Sequence, residues 1–188
     1  MELYLIRHTT PDVAKGICYG QKNIGLTEAF LEELKRLEAK LPEEHKMFQV
    51  YSSPLKRCSK LATKLSEQGI ITDDRLMELN FGSWEGQKWD DINEEELSEW
   101  MQDFVEVECP GGESYRRLYD RVTAWWKEVI RSKQEKVLVV THAGVIRCLL
   151  SHILGLPLEN SFRLQVGYGS VSQIVYQNNR NTVAFINR

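Results

Sequence analysis

Apolar positions along this chain fall into short runs separated by helical spacings. Leu3-Tyr4-Leu5-Ile6 is a near-continuous apolar run, the pattern of a strand buried on both faces. Thr27 is placed to cap a helix over Glu28 to Leu41, with Leu31, Leu34, Leu37 and Leu41 on one face and Pro42 stopping it. Phe48 to Tyr51 reads as a second strand. Ser53-Pro54 then has the form of an N-cap and first helical residue, opening a helix to about Glu67. After Gly69, Ile70 to Thr72 is a third short strand. Ser114 opens a long helix carrying Leu118, Val122, Trp125 and Val129. Val137 to Val140 is the clearest strand. Ala143 to Leu154 is a helix closed by Gly155, with Pro157 beyond it. Ser172 to Tyr176 and Thr182 to Ile186 pair as closing strands across Asn178-Asn179. Strands alternating with helices predict an α/β fold, a three-layer α/β/α sandwich with a mostly parallel central sheet.

A chain of 188 residues is the size of one domain, and 1–188 is read as such. The stretch 73–112 interrupts the alternation as an irregular acidic insertion near the active site. From Glu85 to Glu108 there are ten acidic residues and one basic one, Lys88, a local net of −9 within an overall net of −3. The bland reading is a solvated helix face. If the run lies near a pocket mouth, it disfavours multiply charged anions. Trp84, Trp89 and Trp100 share the region, either as core or as cover for an aromatic base.

Composition excludes several classes. With 42% apolar and 27% charged residues the chain is ordinary for a soluble globular protein. No apolar stretch approaches membrane-spanning length, and the near-balanced charge gives no general pull toward nucleic acid. The N-terminus lacks a signal-peptide pattern, so the expected location is cytoplasmic, with the four cysteines reduced. The histidines, at 8, 45, 142 and 152, show no metal-ligand spacing, and neither metal nor cofactor is expected.

In a parallel sheet, ligands bind outside the carboxyl ends of the strands. The first strand is followed by Arg7 and His8. The second is followed by Ser52, Ser53 and, a turn later, Arg57. The strongest is followed by Thr141 and His142, opening a helix. Singly, each has a structural explanation. Together, two arginines, two histidines and helix N-termini on one edge describe a pocket for a compact anion such as phosphate.

These segments resemble the histidine phosphatase, or phosphoglycerate mutase-like, superfamily. The matching blocks are Leu5-Ile6-Arg7-His8-Thr9, Ser52 to Cys58, Leu76 to Gly86, Pro110 to Ser114 and Val140 to Gly144, in family order. The resemblance implies His8 as the nucleophile that takes the phosphoryl group and Glu78 as the proton donor. Arg7, Arg57 and His142 would hold the phosphate, with Thr9, Gly20 and Gln21 as candidate substrate contacts. A neutral imidazole is a competent nucleophile near neutral pH. Guanidinium groups can supply the charge stabilisation that phosphoryl transfer needs. Thr9 stands where the family has glycine, and Ala14 where members often have asparagine; Thr9 or Thr10 is a candidate replacement contact. Phe81 and Trp89 replace a tyrosine and a lysine with which mutases grip a carboxylate, which argues against mutase activity. Gly16 to Gln21 and Phe81 to Gly86 look most like the α-ribazole phosphatase branch. The implied activity is therefore metal-independent phosphomonoester hydrolysis through phosphohistidine, on α-ribazole 5′-phosphate in cobalamin assembly. The alternatives are a broad sugar or nucleotide phosphatase, a mutase, or a non-catalytic phosphate-binding scaffold. The implied partner is a small phosphorylated metabolite. Neither nucleic acid nor membrane is expected, and the oligomeric state is left open.

Overall fold

The computed structural model describes residues 1–188. Its centre is one six-stranded sheet in the order β3-β2-β4-β1-β5-β6. The strands are β1 (Glu2–Arg7), β2 (Gln49–Ser52), β3 (Ile70–Thr72), β4 (Lys136–Thr141), β5 (Val171–Gln177) and β6 (Arg180–Phe185). β1, β2, β3 and β4 run parallel; β5 and β6 are antiparallel additions at one edge. The β5–β6 turn puts Asn178 and Asn179 at φ 53° and 59°, a conformation asparagine tolerates better than most residues.

Side-chain alternation divides the core between the two faces. Leu3, Leu5, Val137 and Val139 pack with α4 (Tyr115–Val129) and α5 (Ala143–Leu154). Tyr4, Ile6, Leu138 and Val140 pack with α1 (Phe30–Glu38) and α2 (Lys56–Lys64). The three-layer arrangement is the expected one. No helix is long and apolar enough to cross a membrane.

Two helices begin later than their sequence signals. α1 starts at Phe30 with no side-chain cap, and the Thr27 hydroxyl is buried without a partner. α2 starts at Lys56, because Leu55 is extended at ψ 136°. The Ser53 hydroxyl instead accepts from Leu55 N–H and lies 2.9 Å from His142 Nε2. A residue that reads as a cap is used by the site.

The acidic segment is more ordered than expected. It contains α3 (Glu94–Gln102), capped by Asn93, whose side chain accepts from the N–H groups of Glu95 and Glu96. Three glutamates in its first turn suit the positive end of the helix dipole. Glu106 pairs with Arg116 and Glu108 with Arg117 on α4. Phe81, Trp84, Trp89 and Trp100 pack around Cys18, Ile92 and Cys109, edge to face except that Trp89 stacks on Trp100. The tryptophans therefore form a small satellite core, and Trp84 is buried in it rather than turned to a ligand. All four cysteines are buried and unpaired.

Candidate active site

β2, β4 and β1 are neighbours, so their carboxyl ends lie side by side. Backbone bonds continue past the strands, from His8 N–H to Thr141 O and from Ser53 N–H to Val140 O. Arg7, His8, Ser53 and His142 are thereby brought to one edge. Arg57 joins them from the first turn of α2.

His8 is 2% exposed. Its Nδ1 lies 2.7 Å from the Thr9 carbonyl. A carbonyl only accepts, so Nδ1 carries the hydrogen and Nε2 keeps its lone pair when the ring is neutral. Burial holds the His8 pKa well below 6.5, reinforced by the Arg57 charge and more weakly by Arg7, while the Thr9 contact acts in the opposite sense. The neutral nucleophilic form therefore dominates near pH 7. The His142 ring centroid is 5.2 Å from that of His8. His142 is also held neutral, first by burial and then by Arg57, His8, Arg121 and Arg7.

The arginines are anchored at one end and free at the other. Arg57 is fully buried; Nη1 donates to Lys22 O and Nη2 to Gly20 O. Arg7 Nη1 donates to Val166 O at 2.7 Å. The Nε of each is buried with no protein partner. Unpaired buried donors on a charged group are costly and call for an anion. The Tyr168 ring covers Arg7 at 3.7 Å and approaches His8. The hydroxyls of Tyr168 and Tyr19 are 2.6 Å apart, linking the loops that carry them.

Glu78 sits at the start of α5, against Gly144, which is two residues past His142. It accepts from Leu79 N–H at 3.0 Å and from Gly144 N–H at 3.2 Å. A Cβ at position 144 would collide with the Glu78 carboxylate, so glycine there permits the approach. The Glu78 backbone is held by Arg121, whose guanidinium donates to the carbonyls of Arg75, Met77 and Glu78 and pairs with Glu113. Glu113 also accepts from Asn80 N–H. These supports explain the Pro110 to Ser114 block and were not recognised individually in the sequence.

The other candidate contacts are engaged inside the protein. The Gly20 carbonyl anchors Arg57, and Gly20 lies too close to Leu79 O and Glu85 for a side chain. Gln21 donates its side-chain amide to Glu78 O and its N–H to Glu85. Thr10 donates its N–H and hydroxyl to Glu33, whereas the Thr9 hydroxyl is buried without a partner. Of the two threonines, Thr9 is the one with a free group. Arg147, on α5, was not singled out in the sequence, although its i,i+3 spacing from Gly144 places it on the same helix face.

Burial of the two histidines has a consequence for stability. The unfolded chain takes up protons at the ordinary histidine pKa of 6.5, while folded His8 and His142 do not. Stability without phosphate should therefore fall as pH drops below 6.5, by about 1.4 kcal/mol per pH unit for each histidine until its folded pKa is reached. Urea midpoints between pH 7 and 5.5 measure this, and His8→Gln should flatten the slope. An equal slope in that variant would show that His8 is not buried neutral.

A family model described as the histidine phosphatase superfamily, branch 1, matches residues 3–188. Phosphoserine phosphatase 1 of Hydrogenobacter thermophilus is 30% identical over 100% of this chain and 92% of its own. The crystal structure of the alpha-ribazole phosphatase from Shigella flexneri superposes with a TM-score of 0.89 at 25% identity, covering 100% of this chain and 96% of that one. A mycobacterial glucosyl-3-phosphoglycerate phosphatase superposes at 0.84 and 25% identity, over 99% and 98% of the two chains.

Proposed function

The chain belongs to branch 1 of the histidine phosphatase superfamily and is a phosphatase, and we propose that it hydrolyses small phosphate monoesters through a phosphohistidine at His8. The observation that carries this reading is the pairing of a lone-pair-bearing His8 Nε2 with two buried guanidinium Nε–H groups that lack protein partners. A phosphoryl group in that space satisfies Arg7 and Arg57 and presents phosphorus to the imidazole. His142, held at 2.9 Å by Ser53 Oγ, supplies a further polar contact. In this reading Glu78, held at the start of α5 by Gly144, two residues past His142, protonates the departing alkoxide and then takes a proton from the hydrolytic water. Free phosphate leaves, and His8 returns to its neutral form.

Two substrate readings are open to test. The Gly16 to Gln21 and Phe81 to Gly86 motifs, with the structural likeness to alpha-ribazole phosphatase, support α-ribazole 5′-phosphate. Identity to a phosphoserine phosphatase supports an ester bearing a carboxylate. The tryptophan cluster favours the second, because Trp84 and its neighbours are spent on one another rather than offered to a flat base.

Turnover of p-nitrophenyl phosphate, inhibited competitively by inorganic phosphate, tests the reaction class. Activity is expected to survive exhaustive dialysis against EDTA, because two guanidinium groups carry the charge stabilisation. Loss on chelation restored by magnesium or zinc would contradict the proposed mechanism. A panel containing α-ribazole phosphate, phosphoserine, phosphoglycerates and sugar phosphates separates the substrate readings.

A further inference from the structure

Arg147 is half-buried on α5, one turn beyond Gly144, the residue whose N–H holds Glu78. Its Nε donates to Leu164 O at 3.0 Å, and the Phe162 ring lies 4.9 Å from its Cζ. The terminal nitrogens donate to no protein atom and no carboxylate pairs with them. Leu164 and Val166 are two residues apart, and their carbonyls hold Arg147 and Arg7 respectively. Two guanidinium groups are thus tethered to one loop. Arg7 lies under the Tyr168 ring, which approaches His8, while the terminal nitrogens of Arg147 stay free. Burial works against the Arg147 charge; Tyr115 and Glu78 partly offset this, and Arg7 more weakly repels it. A half-buried guanidinium next to a second one, without its own counterion, is stabilised by a bound anion.

Resting on the phosphatase reading above, we propose that Arg147 binds a carboxylate on the alcohol portion of the ester, making a phosphorylated small carboxylic acid the substrate class. A planar fork with two free nitrogens matches the two oxygens of a carboxylate. A single guanidinium balances a carboxylate monoanion; it leaves a second phosphate dianion undercompensated. Arg147 shares a helix face with Gly144, whose N–H holds Glu78, about one turn or roughly 5 Å along α5, so the acid group it takes lies on the Glu78 side of the site.

O-phosphoserine and O-phosphoethanolamine differ only by the carboxylate, so their kcat/KM ratio isolates this contact. Wild-type enzyme should prefer phosphoserine by at least about tenfold. Arg147→Met should lower the ratio by about 10- to 100-fold, the range for losing a charge-assisted hydrogen bond. Arg147→Lys should restore part of it. A wild-type ratio near one overturns the proposal without any variant. So does a ratio that Arg147→Met leaves unchanged. Turnover of p-nitrophenyl phosphate is the separate readout of the phosphatase reading. Its absence would overturn that reading and this proposal together; its presence with no preference for the carboxylate would overturn this proposal alone.

Discussion

Replacing His8 by alanine is expected to lower kcat by about 10⁴ or more, whatever the leaving group. The size of the effect follows from the role. His8 Nε2 forms the bond to phosphorus, and no other group in the site offers a lone pair in an equivalent place. His142 is the nearest candidate, but its Nε2 faces Ser53 Oγ at 2.9 Å and the Cys58 thiol at 3.4 Å. The anion-binding groups remain in the variant, so inorganic phosphate should still bind. Steady-state rates with phosphate inhibition check both parts. A variant retaining a tenth of the wild-type rate would remove His8 from the role of nucleophile.

Glu78→Gln is expected to slow cleavage of an alkyl phosphate by about 10² to 10⁴. Glutamine keeps the shape, but its single amide oxygen replaces only one of the two carboxylate oxygens that accept from the N–H groups of Leu79 and Gly144, so one of those bonds is lost. It cannot deliver a proton. An alkoxide needs that proton to leave, whereas p-nitrophenolate departs without it. The penalty in the cleavage step should therefore shrink as the leaving group becomes more acidic. Rapid-quench measurement of phosphoenzyme formation with both esters reads this directly. Equal factors for the two would exclude Glu78 as the general acid, and attention would pass to Glu85. Glu85 has less freedom for that role, since it accepts from Gln21 and Phe81 N–H.

Much of the frame was legible in local sequence. The apolar runs of β1 and β4 are buried on both faces, so they read as continuous stretches, and the chemistry after them could be located. α5 runs from Ala143 to Leu154 as expected, because Gly155 takes the left-handed conformation at φ 65° that ends it. What was not legible depends on distant partners. Ser53 reads as a cap until β4 delivers His142 beside it. The Glu78 backbone depends on Arg121, 43 residues away in sequence. Arg147 is one of several arginines on helices until the loop at Leu164 holds its Nε and leaves its other nitrogens free. The tryptophans were ambiguous because aromatic composition does not say what a ring faces. Local propensity carries none of these long-range contacts.

The central claim is that the phosphoryl group resides on His8 Nε2 during turnover. Acid-labile, base-stable label should accumulate when the enzyme is quenched within one turnover of a fast ester. Mass spectrometry of the alkaline digest locates it and distinguishes the two ring nitrogens by comparison with phosphohistidine standards. The account predicts one phosphoryl group, on His8, at Nε2, because the Thr9 carbonyl occupies Nδ1 at 2.7 Å. Label at Nδ1, on His142 or on a carboxylate would contradict it.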